Sequence, residues 1–256
     1  MRKKRVCRRI ELLVRLRSER PDIEDPVAAI LAHRVRVAGV PVDNPRSLVL
    51  RDAKLEVIGP PDLRGTRKMR GALASFGISV DGKVVADIGA STGGFTIALL
   101  EAGARRVYAI DAGYGQLLGS LRLDPRVVNL ERVNLGALDA RRVPEPLDIV
   151  VMDLSYLSLA RAVPQLEALV FAPSADAIAL VKPMFELSLA RTPDDEASLC
   201  AALDKAVDAF RESHWQVLAT ARSPVLGARG AIEWFVHARR SRAEGGSHPP
   251  LAPALR

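Results

Sequence analysis

The sequence predicts an α/β fold with a mostly parallel sheet and an antiparallel last strand, preceded by a small α+β module. From Lys83 onward, short apolar runs alternate with stretches of helical periodicity, a pattern typical of a parallel sheet covered by helices. The segment from Ser223 to Gly230 is too short for a crossover helix, so the last two strands should be antiparallel neighbours. Before Lys83 the chain is strongly basic and rich in turn residues, which indicates a separate unit.

The N-terminal module is predicted to contain two helices and a small β ribbon. Apolar residues recur at helical spacing from Arg9 to Arg20, while Arg8, Arg15 and Arg17 supply charge off the apolar stripe. Pro26 fits the first turn of a second helix that continues to about His33. Three short β-type runs follow, with the sequences RVRVAG, VPVD and LEVIG.

Proline and glycine residues divide the chain into four parts. We expect the module over residues 1–60, and a linker with a short helix, Gly71 to Phe76, over residues 61–82. The larger domain should occupy residues 83–240, followed by a disordered tail over residues 241–256.

The larger domain is predicted to contain seven strands, each a short apolar or β-branched run. These are Val84–Ile88, Val107–Asp111, Val127–Leu130, Leu147–Met152, Ala177–Val181, Trp215–Arg222 and Ile232–Ala238. Leu199, Leu203, Val207 and Phe210 recur at helical spacing, which predicts an outer helix with this stripe on the sheet.

The excess of positive charge lies in the first part of the chain. Residues 1–70 contain 18 Lys and Arg against 9 Asp and Glu, whereas the remaining residues contain 19 against 21. This split predicts a module that binds a polyanion, joined to a domain with another task. No apolar run is long enough to cross a bilayer, and the basic N-terminus does not resemble a signal peptide, so we expect a cytoplasmic protein. Two distant cysteines give no support for a metal site.

The sequence VVADIGASTGGFTIALLEAGA predicts a ligand site, because a buried strand runs into a glycine-rich turn and then a helix. Gly89, Gly93 and Gly94 allow close approach of the backbone and torsion angles that other residues avoid. Asp111 ends the next strand about 20 residues later, where a carboxylate can accept hydrogen bonds from a ribose diol. Together these residues indicate a cofactor that contains a nucleoside.

Three other interpretations of the glycine turn remain open. A dinucleotide fingerprint, GxGxxG, would need glycine where Ser91 stands. Residues 89–93 also match GxSxG, the nucleophile elbow of hydrolases, although an elbow normally follows several strands of the sheet. A tight turn without any ligand is the third. A methyl donor is the favoured occupant.

The chain resembles the TlyA-type rRNA ribose 2′-O-methyltransferases, sometimes named haemolysins. The resemblance covers most of the chain and depends on RGTRKMRGALASFGI, DIGASTGGFTIALLEAGA, AIDAGYGQL, DPRVVNLERVN, DIVVMDLSYLSL, LVKPMFE and GAIEWF. It implies a Rossmann-like, FtsJ-like methyltransferase domain with S-adenosylmethionine as cofactor, and ribosomal RNA or ribosomal subunits as partner. It also implies that residues 9–58 form an RNA-binding domain of the type found in ribosomal small-subunit protein four.

The resemblance implies a catalytic tetrad of two lysines and two carboxylates, which are Lys68, Asp153, Lys182 and Glu233. Asp153 and Lys182 follow successive parallel strands, so both should reach the sheet edge where ligands bind in such folds. A ribose hydroxyl is a weak nucleophile and needs a positioned base, for which Lys182 is the candidate. Taken singly, each of the four residues could instead form an ordinary salt bridge.

The residues expected to bind the methyl donor lie mainly in the first loop of the domain. They are Asp87, Gly89, Ala90, Ser91, Gly93, Gly94 and Phe95, with Asp111 at the ribose. The resemblance adds Tyr114 and Asn134 near the adenosine, although Tyr114 could equally be a packed core aromatic.

The segment after Glu186 is shorter than usual in the family and lacks its Gly and Val residues, and Met184 replaces a common glutamine. A second hypothesis therefore stays open, a non-catalytic RNA-binding or ribosome-assembly factor that keeps the fold. A membrane-lytic activity has little support without a spanning segment. Nothing in the sequence identifies the modified nucleotide.

Overall fold

The computed structural model describes residues 8–241, except Asp22, Glu24, Ala32 and residues 59–62. The linker prolines Pro60 and Pro61 therefore lie outside the described residues, as does the predicted tail after Ser241. Internal contacts divide the chain into two compact units. The first comprises residues 1–62 with Leu118–Asp124, and the second comprises Leu63–Leu117 with residues 125–256.

The first unit has short strands around two helices. Its elements up to residue 58 are β1 (Arg9–Glu11), α1 (Leu12–Glu19), α2 (Pro26–Leu31), β2 (Val35–Val37), β3 (Val40–Pro41), β4 (Leu48–Leu50) and β5 (Leu55–Val57). Strand β1 pairs antiparallel with β4, and β2 pairs antiparallel with β3 and β5. The predicted start of the first helix, Arg9, was wrong, because residues 9–11 form β1 and α1 begins at Leu12. Strand β4 was not predicted. Strands of three residues are too short to show a period of two.

Arg15 was predicted to supply charge off the apolar stripe of α1, but it lies among the buried residues of that helix. Its guanidinium is 4% exposed and donates to the carbonyls of Leu50 at 2.7 Å and Ala53 at 2.6 Å, and to the carboxylate of Glu19. Five donors on a planar group can satisfy several acceptors at once, which allows burial. Arg15 therefore fixes the turn after β4 to α1, and its guanidinium is not directed toward a polyanion outside the module.

The second unit contains the remaining elements apart from α5 (Gly119–Leu123), which belongs to the first unit. They are α3 (Arg64–Phe76), β6 (Val84–Ile88), α4 (Gly94–Glu101), β7 (Arg106–Asp111), β8 (Val127–Glu131), β9 (Leu147–Met152), α6 (Leu159–Ala162), β10 (Phe171–Val181), α7 (Pro183–Glu186), α8 (Glu196–Glu212), β11 (Gln216–Arg222) and β12 (Trp234–Ser241).

All seven predicted strands are present and form one sheet in the order β11-β12-β10-β9-β6-β7-β8. The five neighbouring strands β10, β9, β6, β7 and β8 pair in parallel. Strand β12 is antiparallel to both β10 and β11. This confirms the α/β class and the antiparallel end. The carboxyl ends of β6, β9 and β10 lie side by side, and β12 starts at that same edge. Ligands bind at this edge in open α/β sheets.

Helix α3 begins at Arg64, whereas a short helix from Gly71 was predicted. The buried face of α3 includes Thr66 and Lys68 as well as Met69 and Leu73. Because two of its inward positions are polar, apolar periodicity alone misses the first two turns. Lys68 therefore lies on a helix of the second unit.

Candidate active site

The loop from Gly89 to Gly93 joins β6 to α4 and depends on its glycines. Gly89 has φ +88°, and a Cβ there would lie 2.5 Å from the carbonyl oxygen of Asp153. Gly93 has φ +96° and caps α4. The backbone N–H groups of Gly89 and Ala90 both donate to the carbonyl of Ile110, at 2.9 Å and 3.1 Å. The loop is therefore held against β7 and the end of β9 in a conformation that side chains would disturb.

The first turn of α3 contacts the start of α4 through two glycines. A Cβ on Gly94 would lie 2.9 Å from the Cα of Gly65, and the hydroxyl of Thr66 donates to the Gly94 carbonyl at 2.9 Å. A cavity of about 180 Å³ lies between this turn and the glycine loop. Its lining residues are Leu63, Arg64, Gly65, Gly89, Ala90, Ser91, Thr92, Gly94, Phe95 and Asp153.

Asp87 lies in the middle of the sheet, behind the glycine loop. Its side chain is fully buried, and one carboxylate oxygen accepts a hydrogen bond from the Thr96 hydroxyl at 2.6 Å. The other oxygen, Oδ1, has no hydrogen-bond partner among the described residues. Burial raises the pKa of Asp87 to about 7, opposed by the Thr96 bond and reinforced by the charges of Asp153 and Asp111.

Asp111 joins the glycine loop to the loop that follows β7. Its two carboxylate oxygens accept the N–H of Ser91 at 2.7 Å and the N–H of Gly113 at 2.6 Å. A carboxylate has about four lone-pair positions, so both oxygens can still accept ribose hydroxyls. The Ser91 hydroxyl bonds to the amide oxygen of Gln116 at 3.0 Å. An amide oxygen cannot act as a general base, so this geometry does not support the hydrolase interpretation.

Tyr114 and Asn134 are both at the surface. Tyr114 is 67% exposed, so it is not a packed core residue, and the Arg132 guanidinium lies 4.0 Å from its ring centroid. Tyr156, which was not among the predicted site residues, also lies near Asp111. Partial burial and the Asp111 charge raise the pKa of its phenol. Tyr156 follows the end of β9, and that position was the only signal that could have identified it.

The four proposed catalytic residues form two lysine–carboxylate pairs. The ammonium of Lys68 donates to Glu233, and both side chains are almost completely buried. The ammonium of Lys182 lies 2.5 Å from Oδ1 of Asp153 and donates to the hydroxyl of Ser155 at 2.8 Å. The second pair is more accessible, with side-chain exposures of 15% for Lys182 and 24% for Asp153.

The sheet register explains how residues distant in sequence reach this edge. The N–H of Asp153 donates to the Ile88 carbonyl at 3.0 Å, which places Asp153 beside the start of the glycine loop. Val181, the last residue of β10, pairs with Trp234, the first residue of β12. Lys182 follows β10 and Glu233 precedes β12, so both lie at the same edge of the sheet. Asp153 also lines the cavity, so one member of the tetrad reaches the proposed donor site directly.

Two further residues near the tetrad were missed by sequence reasoning. Ser155 accepts the hydrogen bond from Lys182, and its only sequence signal is a hydroxyl two positions after Asp153. Gly227 lies so close to Glu233 that a Cβ would overlap its carboxylate. The loop between β11 and β12 therefore packs directly on the buried pair, a contact that spacing cannot reveal.

Comparisons with known proteins point to one family. Residues 63–240 match the family model described as FtsJ-like methyltransferase. The chain is 39% identical over 220 residues to the 16S/23S rRNA (cytidine-2′-O)-methyltransferase TlyA of Mycobacterium tuberculosis H37Rv, covering 81% of each chain. It is 35% identical to Hemolysin A of Brachyspira hyodysenteriae, covering 81% of this chain and 90% of that one.

A solved structure described as a hemolysin from Streptococcus thermophilus is also similar. Its TM-score is 0.67 at 27% identity, and the match covers 92% of this chain and 90% of that one. Among the residues that the structure describes, no helix is long and apolar enough to cross a membrane.

Proposed function

The chain belongs to the FtsJ-like methyltransferase family, in its TlyA-type group, and we propose that two lysine–carboxylate pairs perform its reaction. That reaction is methyl transfer from S-adenosylmethionine to a ribose 2′-hydroxyl of ribosomal RNA. The observation that supports the proposal most strongly is the contact of Lys182 with both Asp153 and Ser155 at the edge that holds the cavity.

The glycine loop fits the donor. At Gly89 the backbone leaves no space for a Cβ, and most residues that line the cavity beside it are glycine or have small side chains, as close approach of a ligand requires. S-adenosylmethionine supplies an electrophilic methyl group on a sulfonium. We propose that Asp111 accepts the ribose hydroxyls of the donor and that Asp87 supports the loop from behind. Ala90, Ser91, Gly93, Gly94 and Phe95 complete this donor site, with Tyr114 and Asn134 at its outer end.

Lys182 is the proposed proton acceptor. Methylation breaks the 2′ O–H bond and the methyl C–S bond of the donor and forms an O–C bond. The thioether S-adenosylhomocysteine leaves, and the proton must pass to a nearby base. A lysine accepts a proton only in its neutral form. Lys182 is largely buried, and Asp153 and Ser155 fix the direction of its amine. The same two contacts would bind and orient the ammonium after transfer.

Lys68 and Glu233 have a different proposed role. Their pair is more deeply buried than that of Lys182 and lies under the loop that contains Gly227. A buried pair of opposite charges is held in one geometry by the cost of separating it. We propose that Glu233 holds the Lys68 ammonium in place at this edge of the sheet and that the pair anchors α3, whose first turn lines the cavity.

The first unit is proposed to bind the RNA. Residues 1–60 hold most of the excess positive charge, and Arg36, Arg46 and Arg51 are exposed on short strands and turns. Such side chains suit phosphate contacts. We propose that this unit is of the small-subunit protein four type and delivers ribosomal RNA to the second unit.

The acceptor is proposed to be a cytidine in ribosomal RNA, as the names of the relatives from Mycobacterium tuberculosis specify. Aromatic residues form only 4% of the chain, so folded RNA shape and phosphate contacts should dominate over base stacking. Ribosomal subunits present such folded RNA, and the protein would then work in the cytoplasm.

The test is methyl transfer from labelled S-adenosylmethionine to purified ribosomal subunits and to free ribosomal RNA. The modified position is then mapped by its resistance to alkaline cleavage. We expect label on a ribose 2′-oxygen. Donor binding without any transfer to either subunit or to free RNA would instead favour a non-catalytic RNA-binding factor. Label on a base would refute ribose chemistry.

A further inference from the structure

We propose that Glu186 is a positioning residue for Lys182, because its carboxylate fixes the chain segment that holds Asp153 and Ser155. This inference depends on the proposed role of Lys182. It concerns a glutamate that lies four residues after the lysine and outside the tetrad.

The carboxylate of Glu186 caps the short helix α6. It is 2% exposed, and its two oxygens accept the N–H of Leu159 at 2.8 Å and 3.1 Å. Ser158 stands at the usual capping position, but its side chain makes no capping hydrogen bond. Burial raises the pKa of Glu186, while the backbone bonds from Leu159 and Ala160 oppose the rise. The glutamate therefore replaces the local cap with one from another part of the chain.

The backbone of Glu186 is fixed as well. Its N–H donates to the carbonyl of Lys182 at 3.1 Å, since Lys182 is the N-cap residue of the single turn of α7. Its own carbonyl accepts a hydrogen bond from the ammonium of Lys205 on α8 at 2.5 Å. Glu186 thus connects the residue that follows β10, the start of α6 and the outer helix.

The segment from Asp153 to Leu159 is consequently held at both ends. At its start the Asp153 N–H bonds to the Ile88 carbonyl, and at its end the Leu159 N–H bonds to Glu186. Ser155 lies between these two anchors, and its hydroxyl accepts a hydrogen bond from the Lys182 ammonium. Without the second anchor, Ser155 would no longer be fixed relative to the chain that contains Lys182, and only the first anchor would hold the segment.

The experiment compares Glu186→Ala and Glu186→Gln with wild type in single-turnover methyl transfer, with donor and RNA saturating. Donor affinity is measured by calorimetry and folding by thermal melting. Glu167→Ala and Glu167→Gln make the same chemical changes on an exposed glutamate between α6 and β10 and serve as matched controls. Lys182→Ala is measured in parallel.

Glu186→Ala should lose on the order of 10²-fold in rate, the scale of a displacement of about 1 Å at reacting groups, with donor affinity unchanged. Glu186→Gln should recover part of this loss, because its amide oxygen can still accept from Leu159 while its NH₂ group cannot. Both control variants should match wild type.

Three outcomes would overturn the inference. One is a wild-type rate in Glu186→Gln and Glu186→Ala while Lys182→Ala is inactive. The second is a fall in donor affinity that parallels the fall in rate, which indicates general damage to the fold. The third, if Glu186→Ala does not fold, is a wild-type rate in the folded Gln variant. Full activity of Lys182→Ala would refute the proposed function itself.

Discussion

The ammonium of Lys68 on α3 bonds to the carboxylate of Glu233, 165 residues later in the chain, and both side chains are almost completely buried. Glu233 precedes β12, the antiparallel strand inserted between β10 and β11. This pair therefore connects the helix that lines the cavity to the last strand of the sheet. Its burial means that neither partner can be removed without leaving the other unpaired.

The first prediction follows from this pair. Glu233→Leu leaves the Lys68 ammonium buried without a partner and should lower the free energy of unfolding by about 3 to 5 kcal/mol. Lys68→Met combined with Glu233→Leu removes both charges and should recover most of that loss, while methyl transfer stays absent. Urea unfolding and transfer assays on both variants test this. A double variant no more stable than the single one would contradict the account.

The second prediction concerns the glycine loop. Gly89→Ala should weaken binding of S-adenosylmethionine by roughly tenfold or more, about 1.4 kcal/mol, because its Cβ would overlap the Asp153 carbonyl. Gly82 also has a positive φ, +69°, but has open space around it. Gly82→Ala is therefore the matched control for backbone strain alone. Equal donor affinity in the two variants, measured by calorimetry, would show that the overlap at Gly89 is irrelevant.

The third prediction concerns the pH dependence of stability. Burial raises the pKa of Asp87 from 3.8 to about 7, so between these values the folded protein retains a proton that the unfolded chain loses. The contribution of Asp87 to the free energy of unfolding is therefore highest below about pH 4. It falls as the pH rises to about 7 and is constant above that pH. Asp87→Asn cannot titrate, so its stability relative to wild type should increase over this window by a few kcal/mol, on the order of 1.4 kcal/mol per pKa unit. Urea unfolding at pH 5 and pH 8 measures the change, and a difference that does not vary with pH would argue against a buried neutral carboxyl.

The fourth prediction concerns RNA binding by the first unit. Replacing Arg36, Arg46 and Arg51 together with alanine should weaken RNA binding and reduce the slope of log affinity against log salt by up to roughly 0.9 for each lost phosphate contact. Arg211→Ala on α8, where the arginine pairs with Asp208, is the control and should leave both unchanged. Donor affinity should be unaffected in every variant. An unchanged salt slope in the triple variant would refute the delivery role of these side chains.

Much of the sheet could be predicted from the sequence because its strands are continuous apolar runs. β6 and β9 begin and end at the predicted residues, since Val84–Ile88 and Leu147–Met152 are buried or nearly so on both faces. The start of β12 was predicted two residues early, at Ile232, although the backbone enters the strand only at Trp234 after a tight turn. The glycines of the ligand loop, Gly89, Gly93 and Gly94, could be identified because they lie within six consecutive residues between a strand and a helix.

Contacts between distant segments could not be predicted in the same way. The burial of Arg15 depends on the carbonyls of Leu50 and Ala53, which no periodicity places beside α1. Ser155 becomes significant only when the sheet brings the end of β9 beside Lys182. Such roles depend on the register of paired strands and on the direction of each side chain. Neither can be read from sequence patterns before the fold is known.

The most direct test of the central claim is the single-turnover rate of methyl transfer to ribosomal RNA by wild type, Lys182→Ala and Lys182→Arg. Donor and RNA are saturating, and folding is checked by thermal melting. If Lys182 accepts the 2′-hydroxyl proton, the Ala variant should lose on the order of 10²-fold or more in rate. The Arg variant should not recover it, because a guanidinium stays protonated. A near-wild-type rate in Lys182→Arg would contradict the account and leave Lys182 as an anchoring positive charge.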